Sequence, residues 1–250
     1  MYSILAEYYD YIYSFYQKEY VPRQVEFITE LFNGRNIEVV LDLACGTAYP
    51  TQLLAEKGYQ VICLDISREV LGIARKRLSS YIADLVEADM LYIPLRSSSI
   101  DAATVLFSSV QYIGPLEKLE KLAENIYRVL RDNSILIFDA HNPIHPREER
   151  RYPVVWDTPG PRGEHLLIVD YSETKSLRQE RVLKRVITII KPGGETKTIL
   201  SVDKLYLYSP GEYKLVLKHA GFRKVDLYGS YSRDTRSASS SSRVVVVAEK

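Results

Sequence analysis

The stretch Val39-Val40-Leu41-Asp42-Leu43-Ala44-Cys45-Gly46-Thr47-Ala48 constrains the fold more than any other. It opens with apolar, β-branched residues, which suit a strand buried on both faces. An acidic residue sits near the strand's end and small residues follow. Pro50 to Lys57 then reads as a helix closed by Gly58. A strand, a tight small-residue turn and a helix make the nucleotide-binding corner of a doubly wound sheet. Gly46 lets a ligand approach the backbone with no side chain in the way. Amides at the helix start attract an anionic group such as a carboxylate. Asp42, close to that turn, would repel a diphosphate but tolerate a zwitterion with an ammonium group, directly or through water. The corner therefore favours an amino-acid-bearing nucleoside over a dinucleotide.

Further strands follow the same logic. Gln60 to Asp65 is a second buried strand ending in an acid. An acid about 20 residues past the turn is placed to accept from both ribose hydroxyls. Ile66 would then lie against the base, and Ser67 caps a helix from Arg68 to Leu78. Leu85 to Met90 reads as a short third strand, Ile100 to Phe107 as a fourth, and Ser134 to Asp139 as a fifth. Pro115 to Leu130 is an amphipathic helix, turned by Asp132-Asn133. Phe107 and Ser108 fall at the C-terminal edge of the fourth strand, where ligands bind in open α/β sheets, and Tyr112 lines the same crevice.

After Asp139 the pattern changes. His141 and Asn142 leave the sheet at its functional edge, and 146–151 is a charged run read as a solvated loop. Residues 152–208 alternate in strand fashion, with Pro192-Gly193-Gly194-Glu195 as a hairpin turn. Ser209 opens a last helix. Phe222 to Tyr228 is a strand, 230–243 a serine-rich flexible loop, and Arg243 to Ala248 a final strand inserted antiparallel between the fifth and sixth. The expected fold is α/β: a doubly wound, seven-stranded, mostly parallel sheet with an antiparallel β insertion after the fifth strand. It is read as one domain over 1–250, with a helical lid at 1–34 and a cap at 152–208.

Asp42-Leu43-Ala44-Cys45-Gly46-Thr47-Ala48 resembles the first motif of class I S-adenosylmethionine-dependent methyltransferases. The flanking text is closest to the glycine and sarcosine N-methyltransferase-like branch. Ala48 stands where that family has a third glycine; alanine, the smallest replacement, is tolerated there if φ is negative. The resemblance implies S-adenosylmethionine as cofactor, held by Asp42, Ala44, Cys45, Gly46, Asp65 and Ile66. It adds Ala88, Asp89 and Met90 around the adenine, with Asp89 accepting from its amino group, and Phe107 and Ser108 beyond the fourth strand. Tyr9-Asp10 and Tyr13 resemble the N-terminal text of small-molecule methyltransferases, in which aromatic residues close over the cofactor's methionine end. The same rings also suit plain helix packing. Arg23 is read either as a bidentate partner of the cofactor carboxylate or as a solvated side chain.

The reaction implied is direct in-line methyl transfer to a small-molecule acceptor, which depends mainly on proximity and alignment. Candidate catalytic residues are His141, as a base for an amine or hydroxyl, Asn142 and Tyr112. A hydrogen-bonded structural role for His141 stands beside that reading. A non-catalytic cofactor-binding module and a nicotinamide-dependent oxidoreductase are the alternatives. The absent G-x-G-x-x-G and the acid at position 42 oppose the second. A net charge of +1 offers no case for nucleic acid or an anionic membrane. Two cysteines in buried-strand patterns, unpaired with any His at ligand spacing, predict neither a disulfide framework nor a metal site. No signal peptide or spanning segment is read, so a cytoplasmic enzyme is expected. Sparse Asn and Gln beside abundant Arg, Lys and Glu lean towards a thermophilic source.

Overall fold

A computed structural model describes residues 5–144, 153–175, 179–235 and 241–250. The expected charged run at 146–151 and the serines at 236–240 lie outside the described residues.

The central sheet has seven strands: β1 (Val39–Leu43), β2 (Gln60–Asp65), β3 (Ala83–Glu87), β4 (Ile100–Val105), β5 (Leu130–His141), β10 (Lys224–Tyr228) and β11 (Arg243–Glu249). Their spatial order is β10-β11-β5-β4-β1-β2-β3. β1 to β5 are parallel, and β11 runs antiparallel to both β5 and β10, as expected. The chain moves outward from β1 to β3, then returns to place β4 on the other side of β1. That reversal opens a crevice beyond the carboxyl ends of β1 and β4.

Helices cover both faces. α2 (Ser14–Phe32), α3 (Tyr49–Glu56) and α4 (Arg68–Arg77) pack on one side through Val25, Ile28, Leu54 and Leu71. α5 (Leu116–Val129) and α6 (Pro210–His219) cover the other through Leu122, Ile126, Tyr213 and Val216. Val40, Leu41 and Leu43 of β1 are fully buried between these layers. Each contributes roughly 1.5–3 kcal/mol by leaving water. This two-sided cover is why the strand reads as a continuous apolar run.

Several boundaries depart from the pattern reading. A 3-10 turn (Ala6–Tyr8) and a short helix α1 (Tyr9–Ile12) precede a break at Tyr13. α2 then runs unbroken through Pro22, which sits on its exposed side. Burial of Gln17, Val21, Gln24, Val25 and Ile28 along one stripe outweighs the single amide that proline lacks. Asp132 and Asn133 do not turn the chain. They lie inside β5, at a register shift opposite β4, with Asn133 at φ 63°. Asn tolerates that left-handed backbone better than most residues. β3 ends at Glu87, so Asp89 is not a strand residue. It caps the 3-10 turn Met90–Tyr92, its Oδ1 accepting from the Leu91 amide at 2.9 Å.

The insertion is a separate antiparallel sheet of β6 (Val154–Pro159), β7 (His165–Lys175), β8 (Glu180–Ile190) and β9 (Thr196–Tyr206), paired in that order. Gly193 and Gly194 form the β8–β9 hairpin with φ 96° and 90°, a backbone only glycine adopts cheaply. Leu166, Ile168, Ile187 and Ile189 alternate onto one face, where Leu5, Tyr8 and Ile12 pack against them. The N-terminal segment therefore contacts the second sheet by one side. Through Asp10 it also meets the turn after β1 and the end of α4.

Candidate functional site

The turn between β1 and α3 is built on backbone conformations that cost energy. Ala44, Gly46 and Ala48 all have positive φ, at 55°, 57° and 60°. The condition of a negative φ for an alanine at position 48 is not met. Ala48 is the left-handed N-cap of α3 and is fully buried. A non-glycine residue there costs about 1–2 kcal/mol, which the packing of its methyl offsets. A Cβ placed on Gly46 would meet no atom within 4 Å, so the turn faces open space on the crevice side.

Asp42 lies behind this turn, almost wholly buried. Both carboxylate oxygens are engaged: Thr51 Oγ1 donates to one at 2.5 Å and Thr104 Oγ1 to the other at 2.7 Å. The residue ties α3 and β4 to β1. Burial pushes its carboxyl up to about 6, against the pull of the two threonine bonds and with a further push from the nearby Asp65. Cys45 and Cys63 are buried free thiols beneath the same turn. Hydrogen bonding to Cys63, then burial, raises the Cys45 thiol well above its ordinary value.

Asp65 closes the turn from β2. Its carboxylate accepts the Gly46 amide at 2.9 Å and the Ser67 amide at 2.9 Å. Burial pushes its pKa up, and the Ser67, Gly46 and Ile66 amides pull it back. Each oxygen retains acceptor capacity beyond these bonds. Ile66 beside it is 71% exposed, unusual for a large apolar residue at a crevice edge and suited to lying on a flat ring. Ala88 donates its amide to the Asp65 carbonyl at 3.0 Å, which brings the ends of β2 and β3 together. Ala88, Asp89 and Met90 are half-buried there. Open space at Gly46, an acceptor carboxylate at Asp65 and an uncovered Ile66 fit the sugar and base of a nucleoside.

The N-terminal segment is latched to this turn by residues that periodicity did not single out. Asp10 accepts from Thr47 Oγ1 at 2.6 Å and pairs with Arg77 at 2.5 Å. Arg77 also donates to the Thr47 carbonyl at 2.7 Å. Tyr9 packs its ring on Tyr13, with centroids 4.7 Å apart. Its hydroxyl is raised well above the ordinary value by burial and then by the neighbouring Tyr13, Tyr112, Asp10 and Asp65. Tyr112 and Asp65 thus lie within electrostatic reach of the Tyr9 hydroxyl. On the other side, Tyr13 accepts from Arg185 of β8, which is held bidentately by Asp170 of β7 at 2.5 Å and 2.5 Å. Arg23 lies on the exposed side of α2, where its neighbour Gln24 turns inward.

At the β4 and β5 ends, Phe107 and Ser108 take successive left-handed conformations, at φ 59° and 62°. The Ser108 amide donates to Asp139 Oδ1. Asp139 is fully buried, and its Oδ2 accepts from the Tyr231 hydroxyl at 2.7 Å and from Arg243 Nη1 at 2.7 Å. Two strained residues in a row are held in shape by these surroundings. Neither Asp139, Arg243 nor Tyr231 stood out in the sequence: three residues far apart in the chain carry no spacing signal. His141 exchanges both backbone bonds with the Gln111 side chain, at 3.0 Å and 3.1 Å. Asn142 is buried, with its side chain bonded to the Ser241 carbonyl at 2.9 Å and the Ile144 amide at 3.1 Å. Its polar atoms hold the loop after β5.

Residues 41–138 match the family described as a methyltransferase domain. That match runs from β1 into β5 and includes Gly46, Asp65, Ile66 and Asp89. YqeM of Bacillus subtilis, whose methyltransferase name is provisional, is 35% identical over 104 residues, 41% of this chain and 42% of that protein. The 18S rRNA (guanine-N(7))-methyltransferase bud23 of Schizosaccharomyces pombe is 24% identical over 180 residues, 68% of this chain and 62% of its own. The structure is similar to the sugar N-methyltransferase KedS8 from Streptoalloteichus, with TM-score 0.79 and 18% identity over 93% of this chain and 89% of that one. It is also similar to S-adenosylmethionine-bound CalS10, an amino pentose methyltransferase from Micromonospora echinaspora, with TM-score 0.74 and 18% identity over 94% of each chain. At such identities the likeness is one of fold, that of S-adenosylmethionine-dependent methyltransferases, second sheet included. Among the described residues, no helix is long and apolar enough to cross a membrane.

Proposed function

We propose that the protein is an S-adenosylmethionine-dependent methyltransferase acting on a small-molecule acceptor. One observation carries this reading: open space at Gly46, the acceptor carboxylate of Asp65 and the uncovered Ile66 come together beyond β1 and β2, beside the latched N-terminal segment, and suit a nucleoside. Bound there, the cofactor supplies an electrophilic methyl group for in-line displacement. Asp65 would hold the ribose and Ile66 the base, and Asp89 would accept from the adenine amino group. Tyr9 and Tyr13 would exclude water from the methionine end.

The chain's own chemistry is then orientation more than proton transfer. The acceptor would lie towards Phe107, Ser108 and Tyr112, between the β4 end and the second sheet, in a crevice roofed by N-terminal aromatic residues. Such a roofed crevice favours a small molecule over a polymer. The motif's likeness to the glycine and sarcosine branch makes an amine the first acceptor class to test. Two buried free thiols suit a reducing, cytoplasmic setting.

The test has two stages. Calorimetry with S-adenosylhomocysteine and with NAD should give binding for the first alone; the reverse would establish the oxidoreductase reading. Methyl transfer from labelled cofactor is then followed into a pool of small metabolites and into ribosomal RNA. Label in small molecules supports the proposal. Label in RNA replaces the acceptor class, and label in neither leaves a binding module.

A further inference from the structure

Arg243 opens β11 opposite His141 of β5, at the C-terminal edge of the sheet. Its side chain is 26% exposed. Nη1 donates to Asp139 Oδ2 at 2.7 Å and to Ser108 Oγ at 3.2 Å. Asp139 in turn is filled by the Ser108 amide and the Tyr231 hydroxyl as well. A guanidinium carries five N–H donors in a rigid fork. Those on Nε and Nη2 meet no acceptor among the described residues.

Among the described residues, three of the five donors of this partly exposed guanidinium are therefore left for solvent or a ligand. Burial opposes the charge, yet Asp139, then Tyr16 and Tyr231, hold it firmly protonated. Tyr231 and the guanidinium share one oxygen of Asp139. Tyr16 stands edge-on to Phe107, with centroids 5.5 Å apart, and its hydroxyl accepts from Gln24 Nε2 at 2.8 Å. Gln24 is 2% exposed and its Oε1 has no partner.

We infer that the outer edge of Arg243, Nε and Nη2, is a carboxylate seat for a ligand bound at this end of the sheet. The inference rests on the methyltransferase reading. The carboxylate belongs either to the acceptor or to the amino-acid end of the cofactor. The parallel donors of Nε and Nη2 match the two oxygens of a carboxylate. One guanidinium already paired with the charge of Asp139 suits a monoanion better than a phosphate. The fork also explains why arginine stands here: a lysine would satisfy Asp139 but present no second edge.

The experiment follows the Arg243 Nε–H signal by NMR in the full chain, identified by its absence in Arg243→Lys. The probes are S-adenosylhomocysteine, 5′-methylthioadenosine, which lacks the amino-acid group, and benzoate. Benzoate is added to free and to S-adenosylhomocysteine-saturated protein at about 10 mM, above the ~1 mM Kd of a weak single contact. A signal that moves with S-adenosylhomocysteine but not with methylthioadenosine assigns the seat to the cofactor. Arg243→Lys should then weaken S-adenosylhomocysteine about tenfold and leave methylthioadenosine within about twofold. A signal that moves only with benzoate assigns it to the acceptor, and Arg243→Lys should abolish that response while S-adenosylhomocysteine affinity holds. If the signal is unmoved by all three, the seat does not exist. Failure of wild type to bind S-adenosylhomocysteine would instead overturn the methyltransferase reading, and the benzoate response of the free protein would still decide the seat.

Discussion

Asp42→Asn should make the protein more stable at alkaline pH and less so in acid. The carboxyl is fully enclosed, and burial raises its native pKa to about 6 from an ordinary 3.8. At roughly 1.36 kcal/mol per pH unit, the charged form costs the native state about 3 kcal/mol. Below about pH 4 both native and unfolded chains hold the proton and the cost is absent. Between about 4 and 6 only the native chain holds it, so stability falls as pH rises, and above about 6 the full cost stands. Asparagine carries no charge but cannot accept from Thr51 and Thr104 at once, which forfeits about 1 kcal/mol. The variant should therefore exceed wild type by about 2 kcal/mol at pH 8 and fall about 1 kcal/mol below it at pH 4. Urea unfolding of both proteins without cofactor, followed by circular dichroism across this range, reads the difference directly. A gap that does not change with pH, or a variant weaker than wild type at pH 8, would refute the desolvation argument.

Other perturbations separate binding from folding. Asp65→Ala removes the acceptor of the Gly46 and Ser67 amides; S-adenosylhomocysteine affinity in calorimetry should fall about tenfold or more, since a charge-assisted bond is worth roughly 1.5–3 kcal/mol. Gly46→Ala should cost only about 1 kcal/mol of stability in urea, the strain of its backbone, yet weaken the same ligand at least as much, because the new methyl enters open space that the ligand needs. Asp10→Asn breaks the latch to Arg77, so hydrogen exchange over residues 9–20 should accelerate in the free protein and slow less on adding S-adenosylhomocysteine. Asp170→Ala leaves the buried Arg185 unpaired and should lower stability by about 3 kcal/mol in urea, without moving S-adenosylhomocysteine affinity more than about twofold.

What the chain's local pattern determined is the frame. Alternating apolar runs and amphipathic stretches mark β1 to β5 and their helices, because a strand covered on both faces must be apolar throughout. Gly46 and Asp65 were legible because a tight turn and a strand-end acid are consequences of neighbouring residues alone. The antiparallel insertion announced itself by period-two alternation and the Gly193-Gly194 turn. Only the tertiary structure decided the rest. The left-handed Ala48 is set by packing around its buried methyl, which no propensity reports. The passage of α2 through Pro22 and the bulge at Asn133 are settled by burial and register, not by the local breaker signal. Asp139, Arg243 and Tyr231 meet, as do Asp10, Thr47 and Arg77, because the sheet order brings distant segments to one edge. Charge pairing across the fold has no period in the sequence, so the groups that shape this sheet edge became visible only once the chain had closed around them.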